Sequence, residues 1–511
     1  MNSYIQKYKT FVFKPLLILP LLFTSFGCED LLTETPKAII ELNGLNELTL
    51  DQAIIGAYEP LTRSRGRLWE SNFSLGLNMM SEYFEGGTLN GSGYSNYQYL
   101  NPAVVTNAMD TPWSSLYEAI GKANTIINTL NTNTTLTEAQ KTIGYAEAKF
   151  IRALGYFTAV RIWGSIPLRL QPISNADDVN LAVSDEATIY NQIIEDLKGA
   201  EAGLPDQVSS AKAGRATAGA AKTAMAEVYL TMGDFQNARE KAKEVKDNKS
   251  RYGYDLEADF TSVFSPTTAT NKEDIFSLKF SQIIDKGTFL PCHYADADAD
   301  ANANAAGFAV KSLLSGGIMS WAPLIKNWDK RDLRYQFSVY DTYLLNGVPT
   351  KATIETQSNY FDLLMGKYRD ANAPSDTGGG NDFYFWRYAD VLLIFAEAEN
   401  QVNGPTAEAY DAINQVRRRG YGLSATTADA TVDLPSNLTK QAFDDLVFRE
   451  RGYEFIGECK RWFDMVRTNR VDSILEEVRQ AKPTNAARKP TPVSMFYPIP
   501  DTERQTNNLI Q

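Results

Sequence analysis

The stretch "GRATAGAAKTAMAEVYLTMGDFQNAREKAKEV", Gly214 to Val245, limits what this 511-residue chain can fold into more than any other segment. Its alanine content and apolar spacing predict two closely packing helices, broken at Gly233-Asp234. "RYADVLLIFAEAENQVNGPTAEAYDAINQVRRRG" repeats the two-helix plan, with its break at Asn403-Gly404-Pro405. In "IGYAEAKFIRALGYFTAVRIW", Ile143, Phe150, Leu154 and Phe157 fall on one helical face. "TIYNQIIEDLKGAEAGLP" does the same with Ile189, Ile193 and Leu197 before Gly203 and Pro205 stop it. "FDDLVFRERGYEFIGECKRWFDMVRT", Phe443 to Thr468, reads as one further helix.

Small residues, then a break, then an aromatic and Ala238 resemble a tetratricopeptide hairpin. The chain between the helical blocks differs: Asn90–Tyr99, Ser265–Asn271, Cys292–Gly307 and Ala371–Asp382 are polar and read as loops. "DIFSLKF", Asp274 to Phe280, reads as a short strand. The expected fold is therefore mainly α: paired helices as a scaffold, long irregular loops and a few short strands. On such a scaffold function usually lives in the loops.

The start has the layout of an export signal. Lys7, Lys9 and Lys14 precede an apolar run from Leu16 to Phe26, too short to span a bilayer and interrupted by Pro20. A Gly27-Cys28 junction follows, so residues 1–27 resemble a bacterial lipoprotein signal with Cys28 as the acylated residue. Ser25 and Phe26 depart from the usual aliphatic-then-small pair. Removing the signal lowers the formal net charge from −12 to −15, which argues against nucleic acid as a partner. Of the other cysteines, Cys459 follows Phe455 by four and precedes Trp462 by three. That spacing places it on an apolar helix face, so a buried free thiol is expected rather than a bridge to Cys292.

Catalytic chemistry has little to draw on. His293 is the only histidine, so neither a triad with a second histidine nor a multi-histidine metal site can be built. No nucleophile elbow, Walker loop or dinucleotide fingerprint occurs, and no cofactor is implied. Asp296, Asp298 and Asp300 alternate like the start of an EF-hand loop, but Ala301 and Gly307 stand where glycine and glutamate are needed. No metal is expected there. Arg387, Asp390 and Glu397, with Glu450, Glu454, Glu458 and Arg461, offer carboxylates at helical spacing. Two of them could serve a glycoside hydrolase; ion-paired seams between packed helices are the commoner use.

Sugars present C–H faces to aromatic rings and hydroxyls to amides and carboxylates, so their sites combine both. "NGSGYSNYQYLN" supplies Tyr94, Tyr97 and Tyr99 with Asn96, "CHYADADAD" supplies Tyr294, and "MSWAPLIKNWDK" supplies Trp321 and Trp328. These are the candidate ligand-binding residues; Trp321 and Trp328 could equally plug the scaffold.

Taken in order, several motifs resemble those of the SusD/RagB family of outer-membrane nutrient-uptake lipoproteins. They are "CEDLLTETP", "WSSLYEAIGKANTII", "EAKFIRALGYFTAVRIWGSIPL", "EDLKGAEAGLP", "GRATAGAAKTAMAEVYL", "RYADVLLIFAEAEN" with "AINQVRRRGY", "RERGYEFIGECKRWFDMVR" and "YPIPDTERQTNNLIQ". Cys459 stands where the family usually has glycine. The resemblance implies an all-α, tetratricopeptide-like superhelical scaffold, with an N-terminal region at 28–245 and a C-terminal region at 246–511. It further implies a surface-exposed, non-enzymatic lipoprotein, held to the outer membrane through Cys28. Such a protein binds an oligosaccharide, or alternatively a peptide, and delivers it to a SusC-like TonB-dependent outer-membrane barrel. The glycan or peptide site is then expected in the loops named above.

Overall fold

The computed structural model describes residues 46–62, 72–86, 106–268, 270–284, 286–291, 316–345, 348–351, 354–355, 360–375, 378–481 and 494–510. Tyr94, Asn96, Tyr97, Tyr99, Tyr294, Cys28, Cys292 and the aspartates of the alternating run lie outside these residues.

The long helices follow the predicted periodicity. They are α1 (Glu47–Thr62), α2 (Thr106–Thr132), α3 (Glu138–Trp163), α4 (Glu186–Gly203), α5 (Ala218–Met232) and α6 (Phe235–Asp247). After an irregular region come α7 (Tyr388–Asn403), α8 (Ala407–Gly420), α9 (Lys440–Glu454), α10 (Arg461–Arg467) and α11 (Val471–Ala481). Side-chain caps fix the starts: Asp185 accepts from the Thr188 amide, Thr217 from Ala220, Asp234 from Asn237 and Thr439 from Ala442. Each of α1 to α6 packs on a neighbour in the series, and α6 then packs on α7, so the helical stack continues across the intervening 140-odd residues. Residues 43–511 form one compact unit. No helix among the described residues is long and apolar enough to cross a membrane.

The predicted helical faces are interior, with one exception. Phe150, Leu154, Phe157, Ile189, Ile193 and Leu197 are buried, whereas Ile143 is 46% exposed. The expected strand forms as β1 (Asp274–Leu278), antiparallel to β2 (Phe383–Arg387), which runs directly into α7. Phe276 of β1 meets Phe150 of α3 edge-on with ring centroids 4.9 Å apart, and this contact joins strands to helices in the core.

The segment Phe443 to Thr468 is two helices rather than one. A turn at Phe455–Lys460 separates α9 from α10, because Gly457 (φ +76°) and Cys459 (φ +62°) both adopt left-handed backbone that no helix continues through. Cys459 is therefore in a turn, not on a helix face. Its thiol is free and buried as expected, 3.3 Å from the Ser74 carbonyl, and burial pushes it well above the ordinary thiol range.

Candidate functional site

Two features of the sequence could have formed a site: the spaced carboxylates and the aromatic loops. The carboxylates are an internal seam. Glu454, at the end of α9, accepts from Arg334 (3.0 Å), Arg387 (3.0 Å) and Arg419 (2.6 Å), all fully buried. Glu458 accepts from Arg387 at 2.9 Å and from Lys367 at 2.7 Å. Glu273, just ahead of β1, takes Arg387 at 2.7 Å and also holds Arg419. Asp390 pairs with Lys460, and Glu397 with Arg467. Burial alone would raise the Glu454 carboxyl, but Arg419, Arg387, Arg334 and Lys367 together hold it well below the usual range. Glu458 is likewise held low by Arg387 and Lys367 against burial. A general acid must keep its proton near neutrality, so neither carboxylate is set up as one; both are buried, ion-paired members of the seam.

The aromatic loops lead elsewhere. Phe84–Gly86 pairs antiparallel with Gly316–Ile318, in the register Phe84↔Ile318, Glu85↔Gly317 and Gly86↔Gly316. The chain from residue 87 to 105 leaves at Gly86, and the chain from 292 to 315 returns at Gly316. These two glycines are directly paired; Tyr94, Asn96, Tyr97, Tyr99 and Tyr294 lie in the stretches 87–105 and 292–315, outside the described residues. The ribbon is firmly seated. The Met319 amide donates to the Tyr83 carbonyl at 2.9 Å, and Ile318 and Leu363 exchange backbone hydrogen bonds. The Tyr83 hydroxyl accepts from the Gly457 amide at 3.0 Å, which ties the ribbon to the turn that also carries Glu458.

Trp321 stands in the turn that follows the ribbon and is partly exposed. Asp362 fixes that turn: one carboxylate oxygen accepts from the Ser320 amide at 2.9 Å, the other from its hydroxyl at 2.5 Å. Pro323 then opens the short helix Pro323–Lys326. Trp328 is not beside it at the surface. It is 2% exposed, stacked on Tyr453 with centroids 4.7 Å apart, and its indole N–H donates to Asp332 at 2.9 Å. With both ring and N–H occupied inside, Trp328 is a core plug, which corrects its place among the ligand-binding candidates. Among the described residues no group of three or more His, Cys, Asp and Glu side chains is placed to hold a metal ion. Sequence reasoning missed Asp362, Ser320 and Tyr83. The signal was absent, since each acts through a partner distant in the chain.

Fold and ribbon together define a tetratricopeptide-like helical scaffold carrying short two-stranded β-ribbons. Residues 303–511 match the SusD family, and residues 37–230 match a family described as starch-binding and associating with the outer membrane. A SusD-like protein of Formosa agariphila is 30% identical over 88% of this chain and 89% of its own. Another from the same organism is 27% identical over 96% of each. Among solved structures, a laminarin-binding SusD-like protein superposes with a TM-score of 0.72 at 22% identity, covering 91% of this chain and 98% of its own. Surface glycan-binding protein A of Bacteroides thetaiotaomicron, in complex with laminarihexaose, gives 0.74 at 18% identity over 91% and 98%. The chain belongs to the SusD/RagB family.

Proposed function

We propose that this chain is a surface-exposed glycan-binding lipoprotein, anchored in the outer membrane through Cys28. It captures an oligosaccharide and hands it to a SusC-like TonB-dependent barrel, and it cleaves no bond. The observation that carries this reading is the partly exposed Trp321 in the turn after the Gly316–Ile318 strand, whose partner strand Phe84–Gly86 precedes the tyrosine-rich stretch in the sequence. Aromatic rings next to amides are what a sugar's two kinds of surface require. The laminarin-binding SusD-like protein and the glycan-binding protein in complex with laminarihexaose support a glycan as the ligand class.

The test is titration calorimetry of the protein against laminarihexaose and other neutral oligosaccharides, comparing wild type with a Tyr94→Ala/Tyr97→Ala/Tyr99→Ala variant. Truncating an aromatic anchor of a binding site typically costs more than about 1 kcal/mol, so an affinity loss of at least ~tenfold is expected at unchanged melting temperature. Unchanged affinity removes the loop from the site. Binding of peptides in preference to every sugar would replace the glycan by the family's other ligand class. New reducing ends on incubation with pure protein would replace binding by hydrolysis.

A further inference from the structure

A groove of about 720 Å³ opens between α7, α9 and α11, within the size range of small-ligand sites. We propose that it is a second binding site, for a neutral, hydroxyl-rich ligand: a short oligosaccharide distinct in position from whatever the ribbon holds. The choice of a sugar rests on the function proposed above. The site itself rests on the groove.

The charges that line it nearly cancel, four arginines facing five carboxylates. Arg470 bridges Asp444 and Asp445, Arg467 pairs with Glu397, and Arg461 with Glu82. Only Arg449 and Glu477 are left over; both are exposed and of opposite sign. With one carboxylate in excess, an anionic ligand would find no field to draw it in, and the pairing leaves little for a cation. What the groove does offer is hydrogen bonding. Gln441, Asp445 and Arg449 recur at four-residue spacing and so share one face of α9, opposite Ser473 and Glu477 of α11. Apolar floor comes from Phe448, whose ring lies under the Arg461 guanidinium at 3.8 Å and the Arg470 guanidinium at 4.6 Å.

A separate observation points to a missing donor. Glu82 lines the groove and is 2% exposed. One of its oxygens takes both Arg461 bonds, at 2.6 and 2.8 Å. The other is buried without a hydrogen-bond partner among the described residues. An unsatisfied buried acceptor of this kind costs about 1–3 kcal/mol, so a hydroxyl donor that reached it from the groove would be held. Glu82 is two residues ahead of the ribbon strand, and Pro323 and Leu324 of the groove are two and three residues after Trp321. The two chain segments that form the ribbon therefore also supply residues to the groove.

The experiment is calorimetry with saturation-transfer NMR on the full chain, using laminarihexaose and a panel of neutral gluco-, manno- and xylo-oligosaccharides. Three variants are compared with wild type: Tyr94→Ala/Tyr97→Ala/Tyr99→Ala/Trp321→Ala for the ribbon, Gln441→Ala/Arg449→Ala for the groove, and Ser473→Trp to fill it. Gln441, Arg449 and Ser473 are exposed, so folding should survive. The ribbon variant is expected to keep a weaker binding component, and adding either groove change should reduce that component at least ~tenfold. Complete loss of binding in the ribbon variant overturns the groove and leaves the ribbon reading intact. Full binding in the ribbon variant, lost with the groove changes, does the reverse. A residual component indifferent to both groove changes, or no binding to any probe, overturns the groove.

Discussion

Lys279 Nζ stands between two carboxylates, 2.5 Å from Asp274 and 2.6 Å from Asp382. One ammonium cannot fully compensate two buried negative charges. Burial therefore pushes the Asp382 carboxyl up from 3.8 to about 6, with Asp274 adding to the rise and Lys279 opposing it. The folded state then holds a proton that the unfolded state has released, so stability falls as pH rises through this window. The contribution is complete below about pH 3.8 and gone above about pH 6, and its size is at most roughly 3 kcal/mol. Asp382→Asn, which does not titrate, should gain on wild type by that order between pH 4 and pH 7. Urea unfolding at the two pH values measures it, and a difference that stays flat refutes the assignment. Sequence placed Asp382 at the end of a polar loop and could not have seen this, because both neighbours arrive through the β1–β2 pairing. Trp328 failed to read correctly for the same reason: the ring that covers it, Tyr453, belongs to α9.

At the scale of elements, periodicity and punctuation made the hairpins readable. The break between α5 and α6 falls at Gly233-Asp234 because Gly233 takes a left-handed φ of +77° and Asp234 caps the next helix. The turn between α9 and α10 escaped because the apolar spacing runs on through Phe455 and Trp462, both buried on either side of it. A lone glycine inside that pattern looked tolerable, and a cysteine at positive φ has no sequence signature. The two glycines differ in what surrounds them. A methyl at Gly233 would meet nothing within 4 Å, whereas one at Gly457 would stand 2.8 Å from the Met365 Cε. Gly233→Ala should thus cost only the backbone term, about 1–2 kcal/mol. Gly457→Ala should cost that plus the displacement of the Met365 thioether end, a further ~1 kcal/mol at the low end of overpacking costs. Equal losses in denaturant midpoints would show that the turn is not held as described. The Phe84–Gly86/Gly316–Ile318 ribbon was equally unreadable, since glycine-rich strands so far apart in the chain carry no alternation to align.

For the whole molecule, the ion seam decides whether the helical stack and the ribbon hold together. Glu273 precedes β1, Arg334 belongs to the short helix Leu333–Ser338, Arg387 closes β2, Arg419 ends α8 and Glu454 ends α9. Glu454 is the common partner of all three arginines, and its turn continues to Gly457, where Tyr83 seats the ribbon. Replacing such a buried acceptor leaves guanidiniums uncompensated in the interior, which typically costs 3–5 kcal/mol. Glu454→Ala should therefore lower stability by about 3–5 kcal/mol. Because the seam joins elements from both ends of the unit 43–511, the loss should appear in the helix and tryptophan signals together. Glu408, 55% exposed and paired with Lys243, is the control: its alanine variant should change stability by no more than about 1 kcal/mol. Guanidinium unfolding followed by both far-ultraviolet circular dichroism and tryptophan fluorescence distinguishes the cases. Separate transitions in the two signals, or an effect of Glu454→Ala no larger than the Glu408 control, would mean that the seam is passive and that helix packing alone positions the ribbon.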